Sequence, residues 1–122
     1  MALILVVDDE ILLAEMLAVM LRDAGHVALT APHGRAALEL MQAQRPDLVI
    51  TDFMMPVMTG LELAQALRAD GNTRDLPIIL CTGGQGLLAR QSPHLFDLVV
   101  DKPYDYGALL SQAERLVRKT RR

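Results

Sequence analysis

Five residues of this 122-residue chain could do chemistry together: Asp8, Asp9, Asp52, Thr82 and Lys102. Each ends or follows a short apolar run, in VVDD, VITD, ILCT and VVDK. Carboxylates gathered in one place repel, and each like charge raises the pKa of the others. A hard divalent cation held by oxygens relieves this, and Mg²⁺ suits because it uses few carboxylates and keeps several waters. A lysine is the second remedy. Lys102 is the only lysine before residue 119, in a chain with ten arginines, and a compact ammonium acts as a point charge toward a carboxylate or phosphate. A metal, a lysine and the Thr82 hydroxyl around one carboxylate can carry phosphoryl transfer. The cations stabilise the oxygens of the moving group while the carboxylate attacks phosphorus. The plainer alternative is a structural cluster of strand-end carboxylates with Lys102 as its ion-pair partner.

Something must bring these residues together, and the pattern of the chain supplies it. ALILVV is a continuous apolar run that suits a strand buried on both faces. A helical stretch, EILLAEMLAVMLRDAG, follows, with Leu12, Met16, Val19 and Met20 on one face and Gly25 at the stop. The cycle repeats with the strands HVALTA, DLVIT, PIILC and DLVV and the helices GRAALELMQAQ, GLELAQALRAD and DYGALLSQAERLVRKT. The last helix carries Tyr106, Leu109, Leu110, Ala113, Leu116 and Val117 at helical spacing. Strands alternating with helices predict an α/β fold with a parallel sheet covered on both faces. Such sheets bind ligands beyond the carboxyl ends of their strands, where the five residues fall.

Composition narrows the class. Apolar residues make up 52% and charged residues 22%, the profile of a globular protein, and no break or repeat divides residues 1–122, so one domain is expected. No apolar run approaches the ~20 residues of a membrane span. The N-terminus lacks the basic region and cleavage site of a signal peptide, which makes a cytoplasmic location the expectation. A single cysteine, Cys81, excludes an internal disulfide framework and reads as a buried strand residue. His26, His33 and His94 lack metal-ligand spacing and read as exposed loop histidines. The last eight residues, RLVRKTRR, hold five of the 12 cations; the seven that remain face 15 acids, leaving the body at −8. An acidic body argues against nucleic-acid binding by this domain. The basic tail suits the C-terminal turns of a helix. Three glycines, Gly83, Gly84 and Gly86, follow Thr82 without the Lys-Ser/Thr of a P-loop, so they read as a loop that lets Thr82 approach and move.

The segments VVDDE, DFMMPVMTG, PIILCT and DKP resemble the receiver domain of two-component response regulators, over the whole chain and in the right order. The most specific piece, residues 52–60, matches the family's D-x-x-M-P-x-M-x-G. The resemblance implies a flavodoxin-like (βα)5 fold with strand order 2-1-3-4-5. It implies that Asp52 accepts a phosphoryl group from a sensor histidine kinase or a histidine phosphotransfer protein. Asp9, Asp52 and the backbone carbonyl of Met54 would ligate Mg²⁺, with Asp8 acting mainly through a bound water. Thr82 and Lys102 would hold the phosphoryl group, and Pro103 would follow Lys102 through a cis bond. Such a module is not an enzyme in the ordinary sense, since it catalyses only its own phosphorylation and its slow loss. It also implies an output domain or protein partner, or a homodimer, through the face of the fourth helix, fifth strand and fifth helix.

The chain departs from the family pattern in its last third. Val99 stands where an aromatic residue is usual, and Phe96 lies three residues earlier, in an expected loop. Glycines and Pro93 restrict the fourth helix to residues 85–91 at best. The switch is therefore expected in the order of the segment after Thr82. Gly84 and Met54 cannot orient an attacking water, so self-dephosphorylation is expected to be slow. Two other classes keep some of these residues, a pseudo-receiver docking scaffold and an aspartyl-nucleophile, Mg²⁺-dependent phosphohydrolase resembling the haloacid dehalogenases. The second needs an Asp two places after its nucleophile, where this chain has Met54.

Overall fold

The computed structural model describes residues 1–84, 90, 92 and 94–120. Five strands, β1 (Leu3–Val7), β2 (Val27–Ala31), β3 (Leu48–Asp52), β4 (Ile78–Thr82) and β5 (Leu98–Asp101), form one parallel sheet in the order β2-β1-β3-β4-β5. Among the described residues four helices cover it: α1 (Ile11–Asp23), α2 (Gly34–Ala43), α3 (Gly60–Ala69) and α4 (Tyr106–Thr120). The expected fourth helix of the family, residues 85–91, lies outside the described residues except for Arg90.

Strand side chains alternate between two cores. Leu5, Val7, Val49, Ile78 and Leu80 pack with Ala37, Met41, Leu63 and Leu67 of α2 and α3. Ile4, Val6, Leu48, Ile50, Ile79 and Cys81 pack with residues of α1 and α4. Each fully buried aliphatic side chain contributes about 1.5–3 kcal/mol, and β3 and β4 are buried along their whole length.

Helix ends are set by local chemistry. The α1 helix stops at Gly25 (φ 95°), where the Gly25 N–H donates to Arg22 O and the His26 N–H to Leu21 O. That bond pair is a Schellman motif, and the left-handed turn it needs costs glycine nothing. A capping box opens α3: Thr59 Oγ1 accepts from the Glu62 N–H, and Glu62 returns a bond to the Thr59 N–H. Asp105 caps the first N–H groups of α4. Arg118 and Lys119 occupy the last turn of α4, as the tail composition predicts; Arg121 and Arg122 lie outside the described residues.

The inward face of α1 differs from expectation. Ala14, Leu17, Ala18 and Leu21 are buried, while Leu12 is 80% exposed, Met16 56% and Val19 47%; of the expected face only Met20 packs, in part, against the core. The helix is apolar nearly all round, so periodicity does not single out one face. Size decides it, because Ala14 and Ala18 let the helix lie close to the sheet.

Candidate functional site

Register places the site. Val7 pairs with Thr51, so Asp8, the next residue, stands beside Asp52 at the end of β3. Asp52 pairs with Cys81, and Thr82 with Asp101, which sets Lys102 one place beyond on the same edge. Lys102 Nζ lies 3.0 Å from Asp52 Oδ1 and 3.8 Å from Asp8 Oδ2. Ligand oxygens of Asp8, Asp9 and Asp52 all lie within 4.8 Å of one another. Asp8, Asp52 and Thr82 are buried, and Asp9 is exposed at the rim. The Lys102 N–H donates to Thr82 O at 2.8 Å, and a cis bond joins Lys102 to Pro103.

Electrostatics follow from this packing. Burial pushes the Asp8 carboxyl above its ordinary range, the charge of Asp52 adds to the rise, and the hydrogen bond from the Glu10 N–H opposes it. Burial works against the Lys102 ammonium, yet its hydrogen bond to Asp52 and the charges of Asp52 and Asp8 outweigh that cost and raise its pKa. The Cys81 thiol is pushed up to about 12, chiefly by burial, which keeps it inert. Three carboxylates within reach of each other, one of them open to water, fit a hard divalent cation such as Mg²⁺.

The segment after Asp52 is held close. The Gly60 N–H donates to Phe53 O at 2.8 Å, and a Cβ on Gly60 would fall inside contact distance of the Asp52 carbonyl oxygen. Glycine is required there by the close approach of backbone. Val99 is partly buried against the α2 and α3 core, and Phe96 is buried in it. Both stand beside β4 rather than in the acid cluster.

Two histidines correct the expectation of exposed loops. His26 accepts from the Ala2 N–H at Nδ1, and its Nε2 lies 2.9 Å from Glu114 Oε2, with only 10% of the side chain exposed. It closes the lower edge of the sheet against α4. His33 is half-buried and caps α2, its Nδ1 accepting from the Ala36 N–H. His94 is exposed, as expected. Arg68 was not marked by any motif. Its guanidinium bonds the carbonyls of Arg74, Leu76 and Leu95 and the carboxylate of Asp97, which also takes the Ile78 N–H. It fastens the start of β5 to the α3–β4 connection.

The strand order β2-β1-β3-β4-β5 is that of flavodoxin-like receiver domains, and the comparisons with known proteins agree. The response regulator receiver domain model matches residues 4–114. The chain belongs to that family. It is 34% identical, over 96% of its length and 52% of the relative's, to the phosphate regulon transcriptional regulatory protein PhoB of Pseudomonas aeruginosa. It is 37% identical to the response regulator MprA of Mycolicibacterium vanbaalenii, over 96% of its length and 51% of the relative's. The chain thus spans about half the length of these curated relatives. Among solved structures, the signal receiver domain of a signal transduction histidine kinase from Syntrophus aciditrophicus superposes with a TM-score of 0.92 at 31% identity, covering 100% of this chain and 94% of that one. The chemotaxis protein CheY4 of Vibrio cholerae does so with a TM-score of 0.88 at 35% identity, covering 95% and 98%. No helix among the described residues is long and apolar enough to cross a membrane.

Proposed function

We propose that residues 1–122 form one receiver module whose phosphoacceptor is Asp52, labelled by the phosphohistidine of a sensor kinase or histidine phosphotransfer protein. The observation that carries this reading is the position of Lys102, 3.0 Å from Asp52 and 3.8 Å from Asp8. A cation is already set beside the one buried carboxylate that the lysine hydrogen-bonds. The Asp52 oxygen forms a bond to phosphorus as the donor's N–P bond breaks and its imidazole leaves. Lys102 and Thr82 then hold the phosphoryl oxygens on Asp52. Mg²⁺, held by Asp8, Asp9, Asp52 and the Met54 carbonyl, would supply further neutralisation of those oxygens.

A protein donor is supported by the exposed apolar stripe of α1, Leu12, Met16 and Val19, which begins just beyond Asp9. The event is read out through the segment after Thr82, where Gly83 and Gly84 have open space around them. Amide exchange across residues 83–97, with and without an acyl-phosphate mimic, tests that readout; unchanged protection sinks it. A phosphoryl half-life of seconds would contradict the slow self-dephosphorylation that Met54 and Gly84 lead us to expect.

Incubation with acetyl phosphate and Mg²⁺ tests the central reading. A stable phosphoryl adduct should form and be absent in Asp52→Asn. Turnover of phosphate esters without an adduct would favour a phosphohydrolase, which Met54 at the general-acid position disfavours.

A further inference from the structure

The helices α2 and α3 leave a cleft of about 670 Å³ between their C-terminal halves, within the ~300–1,000 Å³ of small-molecule sites. Its floor is apolar, with Leu38 and Met41 lining it from α2 and Ala66 and Leu67 from α3. Ala66 keeps the space open, because its methyl group fills far less of it than a longer side chain would. Arg45 and Asp70 line the polar end of the same cleft. Each follows its helix and precedes the next strand, β3 or β4, which sets that end toward the sheet edge opposite the acids.

Those two charges are held in place, yet not by each other. The Arg45 guanidinium donates from Nε to Asn72 O at 2.9 Å and from Nη1 to Pro46 O at 3.2 Å, which orients the fork and leaves Nη2 unused. Asp70 Oδ1 accepts from the Asn72 N–H at 2.9 Å, inside its own turn, and leaves Oδ2 unused. Among the described residues neither side chain joins an ion pair. A cation and an anion already ordered by backbone bonds cost a ligand little to engage, since their side-chain freedom is spent beforehand. A purely anionic ligand gains from Arg45 but meets Asp70 and the negative dipole ends of both helices. A purely cationic one meets Arg45. A molecule that carries both charges beside an apolar group satisfies the whole set.

We propose that this cleft binds a free apolar α-amino acid, its carboxylate on Arg45, its ammonium on Asp70 and its side chain on the floor of Leu38, Met41, Ala66 and Leu67. The site is separate from the acid cluster and does not depend on the assignment of Asp52. Backbone amide NMR of the chain follows titration with leucine, methionine and phenylalanine. At least one of them should give saturable shifts around residues 38–45 and 66–73, with a Kd in the millimolar range or tighter. The best of the three is then compared with its des-amino acid and its decarboxylated amine, each of which should bind about tenfold more weakly for want of one charged contact. Ala66→Leu, which keeps helix propensity, should fill the floor and abolish binding. Arg45→Gln and Asp70→Asn should each weaken the amino acid about tenfold. Asp70→Asn should bind the des-amino acid no worse than wild type does, and Arg45→Gln the amine. That crossed pattern separates charge recognition from a general loosening of the loops, which would weaken all three ligands alike in both variants and overturn the proposal. Absence of saturable shifts from all three amino acids at about 20 mM overturns it too. So does a des-amino acid or amine that binds as tightly as the amino acid, or shifts confined to the exposed Leu12, Met16 and Val19 of α1, the mark of unspecific apolar adsorption.

Discussion

Lys102 reaches Asp52 through a 3.0 Å contact while 23% of the lysine side chain and 10% of the aspartate remain open to solvent. The pair is buried enough to matter and open enough to accept a ligand. Removing the ammonium leaves Asp52 and Asp8 facing each other without a permanent cation. Lys102→Met should slow labelling of Asp52 by acetyl phosphate about tenfold or more, because a preorganised positive charge is lost where negative charge develops. Labelling at the wild-type rate would remove Lys102 from the chemistry. The raised Lys102 pKa gives its own signature. Its contribution to stability is fully present below the ordinary lysine range and is lost as pH rises through the raised value.

Asp8 has the same sign of linkage, but in its case the charged form is the one the fold disfavours. Its folded pKa lies above the unfolded value of 3.8, so the native state binds the proton more tightly. The sign of linkage then has stability from this group falling as pH climbs from about 3.8 through the raised value. In chelator, Asp8→Asn should melt roughly 2–6 °C higher than wild type at neutral pH, with the gain shrinking as the buffer is taken below that window. Added Mg²⁺ should stabilise wild type more than the variant. Melting curves across the acidic range decide it, and a gain that grows on acidification would contradict the assignment.

Arg68 ties three backbone carbonyls and Asp97 with a side chain only 16% exposed. Arg68→Ala strips partners from groups that cannot all reach water, a loss of about 2–4 kcal/mol. Arg68→Lys should recover only part, since an ammonium lacks the fork that spans these oxygens. Urea midpoints measure both. An alanine variant within 0.5 kcal/mol of wild type, on the order of an ordinary surface change, would mean the carbonyls find solvent unaided.

The two faces of α1 can be told apart by truncation. Leu17→Ala removes a side chain 2% exposed and should cost about 2–5 kcal/mol. Leu12→Ala should change stability by no more than about 0.5 kcal/mol. The reverse ranking would restore the face that periodicity suggests.

The strands and the end of α1 were legible because apolar runs and Gly25 report burial and a helix stop directly, whereas the Thr59–Glu62 box emerged only from the structure. The acid site was legible for a topological reason: a parallel sheet collects the carboxyl ends of its strands, so Asp8, Asp52, Thr82 and Lys102 had to converge. The buried face of α1 was not legible, since every side of that helix is apolar. Arg68 and His26 were missed because most of their partners are backbone carbonyls and an N–H, which no letter announces. Val57 sits inside the most recognisable motif of the chain, yet valine gives no hint of a positive φ.

Directional bonds hold the edge of the sheet far from the acids. His26 joins the Ala2 N–H to Glu114, Asp47 takes the Leu3 N–H at 2.7 Å, and Arg22 donates to Ala28 O at 2.8 Å. The first strand, the turn after α1 and the last helix are thereby riveted at one end. Asp8 follows the other end of the first strand, beside Asp52, so the rivets and the charges stand at opposite edges of one sheet.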